Sequence, residues 1–462
     1  MNKQGKGNPL GYEPIPVLLK RFAIPSIVAM LVSSLYNIVD QIFIGQGVGY
    51  LGNAATNVAF PFTTICLAIA LLIGIGSASN FSLELGRGNQ EEAGRCVGNA
   101  VWMVAVLGIA YFIIIQIFLE PMLKAFGATE NVLPYARSYA RITAIGMPFL
   151  IFTNAISALI RADGSPKYSM MCMVVGAIVN TILDPVFIFG FKLGVAGAAL
   201  ATVISQVVSF VVALNYIRQF KQVKVNKKSL RPDLRKCLNI ASLGMSNSLN
   251  QVGITVVQIV LNNSLTYYGA QSIYGEDIPL SSFGIVMKVN SILIAVFVGL
   301  SQGSQPIVGY NYGAKQFPRV RSVYKRAVSY SFVVSILGFL VFQFFPKQVI
   351  AIFGSGDALY FEFAVKALRI FLFMTLVNGV QIISSNFFAA IGKPLKGVVL
   401  SLSRQVILLI PLVIILPMYM GIDGILYAGP IADASACIIS LVLIVIEFNK
   451  MKKIESTRLE TI

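Results

Sequence analysis

A chain of 462 residues that is 56% hydrophobic and only 12% charged carries too much apolar surface for one soluble core. Its apolar runs of roughly 19–27 residues are each long enough to cross a hydrocarbon layer ~30 Å thick. The net charge of +17 would suggest nucleic acid as partner of a soluble protein, but here Lys and Arg fall on alternate loops, so the charge reports membrane topology, implies a lipid bilayer and no nucleic acid. Histidine is absent, which excludes imidazole proton relays and most zinc sites. The five cysteines, Cys66, Cys96, Cys172, Cys237 and Cys437, form no C-x-x-C pair.

In chain order the sequence predicts about twelve spans, at 22–44, 54–78, 97–119, 142–160, 168–189, 195–217, 238–261, 280–300, 327–345, 364–390, 397–420 and 425–448. The chain is therefore read as an all-α polytopic membrane protein. The first span has no small-residue cleavage site and is expected to be retained. Lys3, Lys6, Lys20 and Arg21, then Arg87 and Arg95, then Arg161 and Lys167, share one side with the central loop, which holds Arg218, Lys221, Lys224, Lys227, Lys228, Arg231, Arg235 and Lys236. Lys315, Arg319, Arg321, Lys325, Arg326, Lys393, Lys396 and the tail through Arg458 fall there too. That side is expected to be cytoplasmic, with both termini inside.

The central charged segment divides the chain into an N-terminal lobe at 1–217, a linker at 218–237 and a C-terminal lobe at 238–462. The halves echo one another. Gly74-x-x-x-x-Ser79-Asn80 through Gly88 parallels Gly299-x-x-x-x-Ser304-Gln305 through Gly313. Ala162-Asp163-Gly164 parallels Ala390-Ile391-Gly392, and Gly194-Val195-Ala196-Gly197 parallels Gly421-Ile422-Asp423-Gly424. An even number of spans per half makes the repeat parallel, with pseudo-symmetric six-helix lobes and binding expected between or within them.

Two carboxylates, Asp40 and Asp184, interrupt stretches that are otherwise apolar. A charge near the bilayer centre costs about 2.5–3.5 kcal/mol, so its default reading is functional. Both fall in the outer halves of outward-running spans. Asn180 lies one turn before Asp184, Thr202 and Tyr139 fall at comparable depth, and Tyr36 and Asn37 share Asp40's region. Two desolvated carboxylates are expected to titrate as a unit, which suits a proton carrier. The same oxygens with Asn180 and Thr202 form a hard set for Na⁺. Both ions stay open on this reading. Tyr36, Asn37, Asn154 and Ser157 are candidate substrate contacts. Lys288, Arg404 and Asp433 in the second half are read chiefly as an internal ion pair. Pro25, Pro148, Pro185 and Pro411 remove backbone donors within spans and can kink them.

Asn37-x-x-Asp40, Asn180-Thr181-Ile182-Leu183-Asp184-Pro185, Gly194-Val195-Ala196-Gly197-Ala198-Ala199 and Ser304-Gln305-Pro306-Ile307-Val308-Gly309-Tyr310-Asn311 resemble a multidrug and toxic compound extrusion (MATE) transporter over almost the whole chain. The second half is similar to the MepA-like branch of bacterial exporters. The resemblance implies two lobes around a V-shaped cavity, no cofactor, and exchange of amphipathic, often cationic small molecules for H⁺ or Na⁺ in the bacterial cytoplasmic membrane, by a monomer. It assigns Asp40, Asn180, Asp184 and Thr202 to a cation site, with Tyr139 beside it. Where some members carry acids in the seventh and tenth spans, this chain has Gln251, Gln258, Asn378 and Gln381, which argues against a C-lobe Na⁺ site. Three rivals are a major-facilitator transporter, whose G-x-x-x-D-R signature is missing from 85–94, a flippase for a lipid-linked substrate, and a membrane-embedded enzyme.

Overall fold

A computed structural model of the chain describes residues 8–226, 229–353 and 358–460. Lys3, Lys6, Lys227 and Lys228, counted among the basic loop charges, lie outside the described residues, as does the side chain of Arg458. The described residues form helices α1 (Pro9–Tyr12), α2 (Ile15–Val48), α3 (Tyr50–Gly86), α4 (Gln90–Ala125), α5 (Leu133–Ala162), α6 (Pro166–Pro185), α7 (Gly194–Ile217), α8 (Leu234–Ala270), α9 (Asp277–Gly313), α10 (Phe317–Phe344), α11 (Pro346–Phe353), α12 (Ala358–Phe371), α13 (Thr375–Ala390), α14 (Pro394–Leu402), α15 (Ile410–Met420) and α16 (Ile422–Glu460). Two π-helical stretches, Val186–Gly190 and Ser403–Leu409, continue α6 and α14.

Among the described residues ten helices are long and apolar enough to cross a membrane, or eleven if the pair α12 and α13, bent by 51°, is one span. The remaining member of the twelve is α8, 37 residues long, which falls below that apolarity because Asn247, Asn250, Gln251, Gln258, Asn262 and Asn263 interrupt it. The chain is thus a multi-pass membrane protein of two six-helix lobes. Helices run past the apolar cores: α5 begins at Leu133, ahead of the expected start at 142, which puts Tyr139 inside the helix and not at its first residue. Hydropathy reads the apolar stretch, whereas the helix continues through polar residues at the interface.

The repeated landmarks have a backbone cause. Gly164 and Gly392 take φ of 91° and 77°, and Gly194 and Gly421 take 56° and 57°, conformations that glycine adopts without the steric penalty of a Cβ. The same turns therefore close equivalent spans in both lobes.

The lobes meet crosswise, α3 against α8 and α2 against α9. Glycines set the distance. A Cβ on Gly76 would come within 1.9 Å of the Ile240 carbonyl oxygen, and one on Gly244 within 1.9 Å of the Leu72 carbonyl oxygen. On the other crossing, Gly299 faces Ile27 Cα at 2.5 Å and Gly303 faces Ala23 Cα at 2.6 Å, measured from the same built position. Gln305 ties α9 to α3 as well, its amide donating to Ser79 Oγ at 2.8 Å and to the Ile75 carbonyl at 3.1 Å. Leu10, Ile15, Leu18, Leu19, Phe22 and Ala23 pack into an apolar cluster with residues of α9, α10 and α13, whereas Ile44 at the other end of α2 packs with Ile188 and Ala198.

The segment after α7 is fastened to the first lobe. Asp163, fully buried, accepts from Tyr216 Oη at 2.8 Å and from the backbone N–H groups of Lys221 at 2.8 Å and Gln222 at 2.9 Å. Asn99 Oδ1 accepts from the Asp233 N–H at 2.7 Å, and Asp233 caps α8 by accepting from Arg235 N–H.

Candidate functional site

Four helices of the first lobe converge on Asp40 and Asp184. Asp40 comes from α2 and is 9% exposed; Asp184, near the end of α6, is 0% exposed. The two carboxyls lie within hydrogen-bonding reach of one another. Asn180, one turn before Asp184 on the same face, donates its amide to Asp184 Oδ1 at 3.3 Å and to Thr202 Oγ1 of α7 at 3.5 Å. Tyr36 of α2 and Tyr139 of α5 stand within electrostatic range of both carboxylates.

The local backbone at Asp184 follows from the next residue. Pro185 has no N–H, so the Thr181 carbonyl loses its helical partner, and the chain continues as the π-helical stretch Val186–Gly190. The wider winding brings Ile188 against α2, where a Cβ on Gly47 would meet Ile188 Cγ2 at 2.1 Å. Ile44, Ile188 and Ala198, with Phe43 and Tyr139, form an apolar layer one turn beyond Asp40. Pro411 likewise adjoins the other π-helical stretch, Ser403–Leu409, while α2 runs unbroken through Pro25 and α5 through Pro148. The interrupted helix α4 breaks at Phe118 (φ −105°, ψ 18°), before Pro121.

Three oxygens at this site, Asp40 Oδ1, Asp184 Oδ2 and Asn180 Oδ1, are buried with no hydrogen-bond donor among the described residues. Neither carboxylate has a basic partner there. Such a set must take up a proton, a cation or both. Among the described residues no three His, Cys, Asp or Glu side chains cluster as for a metal, so a cation here would rest on two carboxylates and neutral oxygens, a donor set that fits Na⁺.

The remaining candidates fall elsewhere. Asn37 is exposed and donates to the Ser33 carbonyl at 2.7 Å. Asn154 and Ser157 line a separate small cavity with Arg161 and Gln302. Arg161, read from the sequence as a loop charge, is in fact buried in the last turn of α5. A charge at the end of a predicted span gives no signal of which way it points, and only the packing of α6 over it reveals the burial.

In the second lobe, Arg404 Nε donates to Asp433 Oδ1 at 2.6 Å, with side-chain exposures of 14% and 3%, and Asn378 also reaches Asp433. Lys288 does not join them; it is exposed on α9 and has no ion pair among the described residues. Gln258 donates to Asn262 Oδ1 at 2.9 Å and Gln381 to the Leu400 carbonyl at 2.9 Å.

The sequence pattern of the MatE family matches residues 25–186 and 248–415, one block in each half. Multidrug export protein MepA from Staphylococcus aureus (strain MRSA252) is 25% identical over 437 residues, covering 94% of each chain. MepA from Staphylococcus saprophyticus is 25% identical over 432 residues, 92% of each. Among solved structures, an outward-facing multidrug resistance MATE family transporter of the MOP superfamily aligns with a TM-score of 0.91 at 23% identity, over 98% of this chain and 100% of that one. A MOP superfamily transporter from Pyrococcus furiosus, described as having a binding pocket of reversed polarity, aligns at 0.90 with 22% identity over 98% and 100%.

Proposed function

We propose, because the chain belongs to the MatE family of membrane transporters, that it is a secondary active multidrug exporter of the bacterial cytoplasmic membrane. It expels amphipathic, often cationic small molecules by alternating access of two lobes, 1–217 and 238–462, joined by the linker 218–237, with both termini cytoplasmic. It acts as a monomer, without a cofactor and without chemistry on its cargo. The export reading draws on the MepA relatives; the orientation draws on the basic loops.

Coupling is assigned to Asp40 and Asp184, with Asn180 and Thr202 positioning them and Tyr139 and Tyr36 closing the surround. The observation that carries this is the buried carboxyl pair without a basic partner. Two facing carboxyls are satisfied by one shared proton, which bridges them as a hydrogen bond. Na⁺ is the second reading, favoured by the unpaired Asn180 Oδ1. Uptake of a fluorescent organic cation into inverted vesicles tests the scheme. An imposed proton gradient should drive it without Na⁺. A strict Na⁺ requirement would instead assign the site to Na⁺. No cation transport, together with movement of a lipid-linked substrate, would make the protein a flippase.

A further inference from the structure

Arg161 is 5% exposed and has no acidic partner among the described residues. Among the described residues its side chain makes one hydrogen bond, Nη1 donating to Ser169 Oγ at 3.1 Å, and Ser169 in turn donates to the Ser157 carbonyl at 2.9 Å. Asp163, two residues on, is occupied with Tyr216 and the backbone of Lys221 and Gln222. The buried acids of the second lobe, by contrast, are each matched: Asp433 by Arg404, Glu447 by Lys393 and Lys396. An uncompensated buried charge is unfavourable by several kcal/mol even after relaxation, so something else answers this one.

Beside the guanidinium lies a cavity of about 30 Å³, bordered by Asn154, Ser157, Met30, Met173 and Gln302. Ser157 Oγ is buried, with only the Cys172 thiol beside it. Gln302 is 7% exposed, comes from α9 across the seam, and has an amide free to donate. The polar border supplies N–H and O–H donors and no carboxylate, which is the donor set of an anion site. Drug-sized pockets run to roughly 300–1,000 Å³, so the cargo does not fit. A cavity needs about 10–15 Å³ by this measure to admit one water, so the space takes a monoatomic ion with a water beside it and nothing much larger. Water would fill it but leave the charge unanswered.

We infer that Arg161, Ser157 and Gln302 form a binding site for a small monovalent anion, of the chemistry of chloride. Because Gln302 belongs to the second lobe and Arg161 to the first, the site is complete only while the lobes are packed as here, so anion binding favours this arrangement over its alternative.

The test uses the full-length protein in detergent and in crystals. Bromide substituted for chloride should give one anomalous peak between the Arg161 guanidinium and the Gln302 amide. Thermal unfolding, read with a thiol-reactive dye on the buried cysteines Cys66, Cys96, Cys172, Cys237 and Cys437, should shift upward saturably with chloride or bromide but not with gluconate at equal ionic strength. Since loss of Arg161 endangers the fold, two other variants carry the comparison. Gln302→Ala should reduce the chloride-dependent shift. Ser157→Asp, which supplies an internal carboxylate, should abolish it and unfold above the wild type in gluconate. Absence of the bromide peak, or an equal shift in the wild type and both variants, would overturn the assignment.

Discussion

Asp40 and Asp184 are buried acids without basic partners, and Asp433 is a buried acid with one; that difference decides what each substitution does. Asp40→Asn and Asp184→Asn each remove a proton-binding oxygen but keep a hydrogen-bonding amide of the same size. Each variant should reach the membrane at wild-type level, retain its thermal stability, and lose drug export in a cell efflux assay; normal efflux from either would refute the coupling assignment. Asp433→Asn leaves the partly buried Arg404 without its countercharge, a loss that reaches about 3–5 kcal/mol when a fully buried pair is broken from one side and is smaller here. It should unfold at lower temperature in detergent while the pH profile of transport keeps its shape. Asp163→Ala strands Tyr216 Oη and two backbone N–H groups, each unsatisfied donor costing about 1–3 kcal/mol. It should destabilise the first lobe without shifting ion coupling, checked by unfolding in detergent and the same efflux assay.

At the scale of helices, apolar length made most spans legible, and the repeated glycines marked the internal repeat, which their left-handed φ values now explain. The seventh span, read at 238–261 as an apolar run, is the one whose polar residues take its helix α8 below the apolarity of the others. Other features left no mark on the sequence. The bend between α12 and α13 spans residues 372–374, which contain neither proline nor glycine. Pro185 did mark a disturbed helix after Asp184, but that the disturbance is a π-helical turn depends on the packing of α2, which the sequence does not carry. Asp40 and Asp184 stood out because an acid is costly in an apolar run, whereas Arg161 at a span's end is cheap on every sequence scale and could be recognised only once α6 covered it. The glycine seam yields an element-level test. Gly76→Val forces a side chain into the Ile240 carbonyl and should hold α3 and α8 apart. In a background lacking the native cysteines, a Ser79→Cys reporter, buried here at 0% exposure, should become reactive to a hydrophilic maleimide when Gly76→Val is added, and export should fall. An unreactive thiol with wild-type export would show that the seam tolerates the added volume.

For the whole molecule the decisive quantity is the net charge moved per cycle. The membrane potential is worth about 2.3 kcal/mol per elementary charge per 100 mV, but only when charge crosses. If Asp40 and Asp184 share a single proton, a monovalent cation leaves as one proton enters. No net charge moves, and only the proton concentration gradient does work. Loading and emptying both carboxylates would add a charge per cycle and make export electrogenic. Repulsion between the two oxyanions favours the singly protonated pair across the working range, so the electroneutral cycle is the expected one. In proteoliposomes with an imposed pH gradient, clamping the potential with valinomycin and potassium should leave monocation transport unchanged. A neutral substrate, whose exchange for one proton does move charge, should respond to the same clamp. Strong potential dependence for the monocation would show that more than one ion is exchanged and that the two carboxylates are loaded separately.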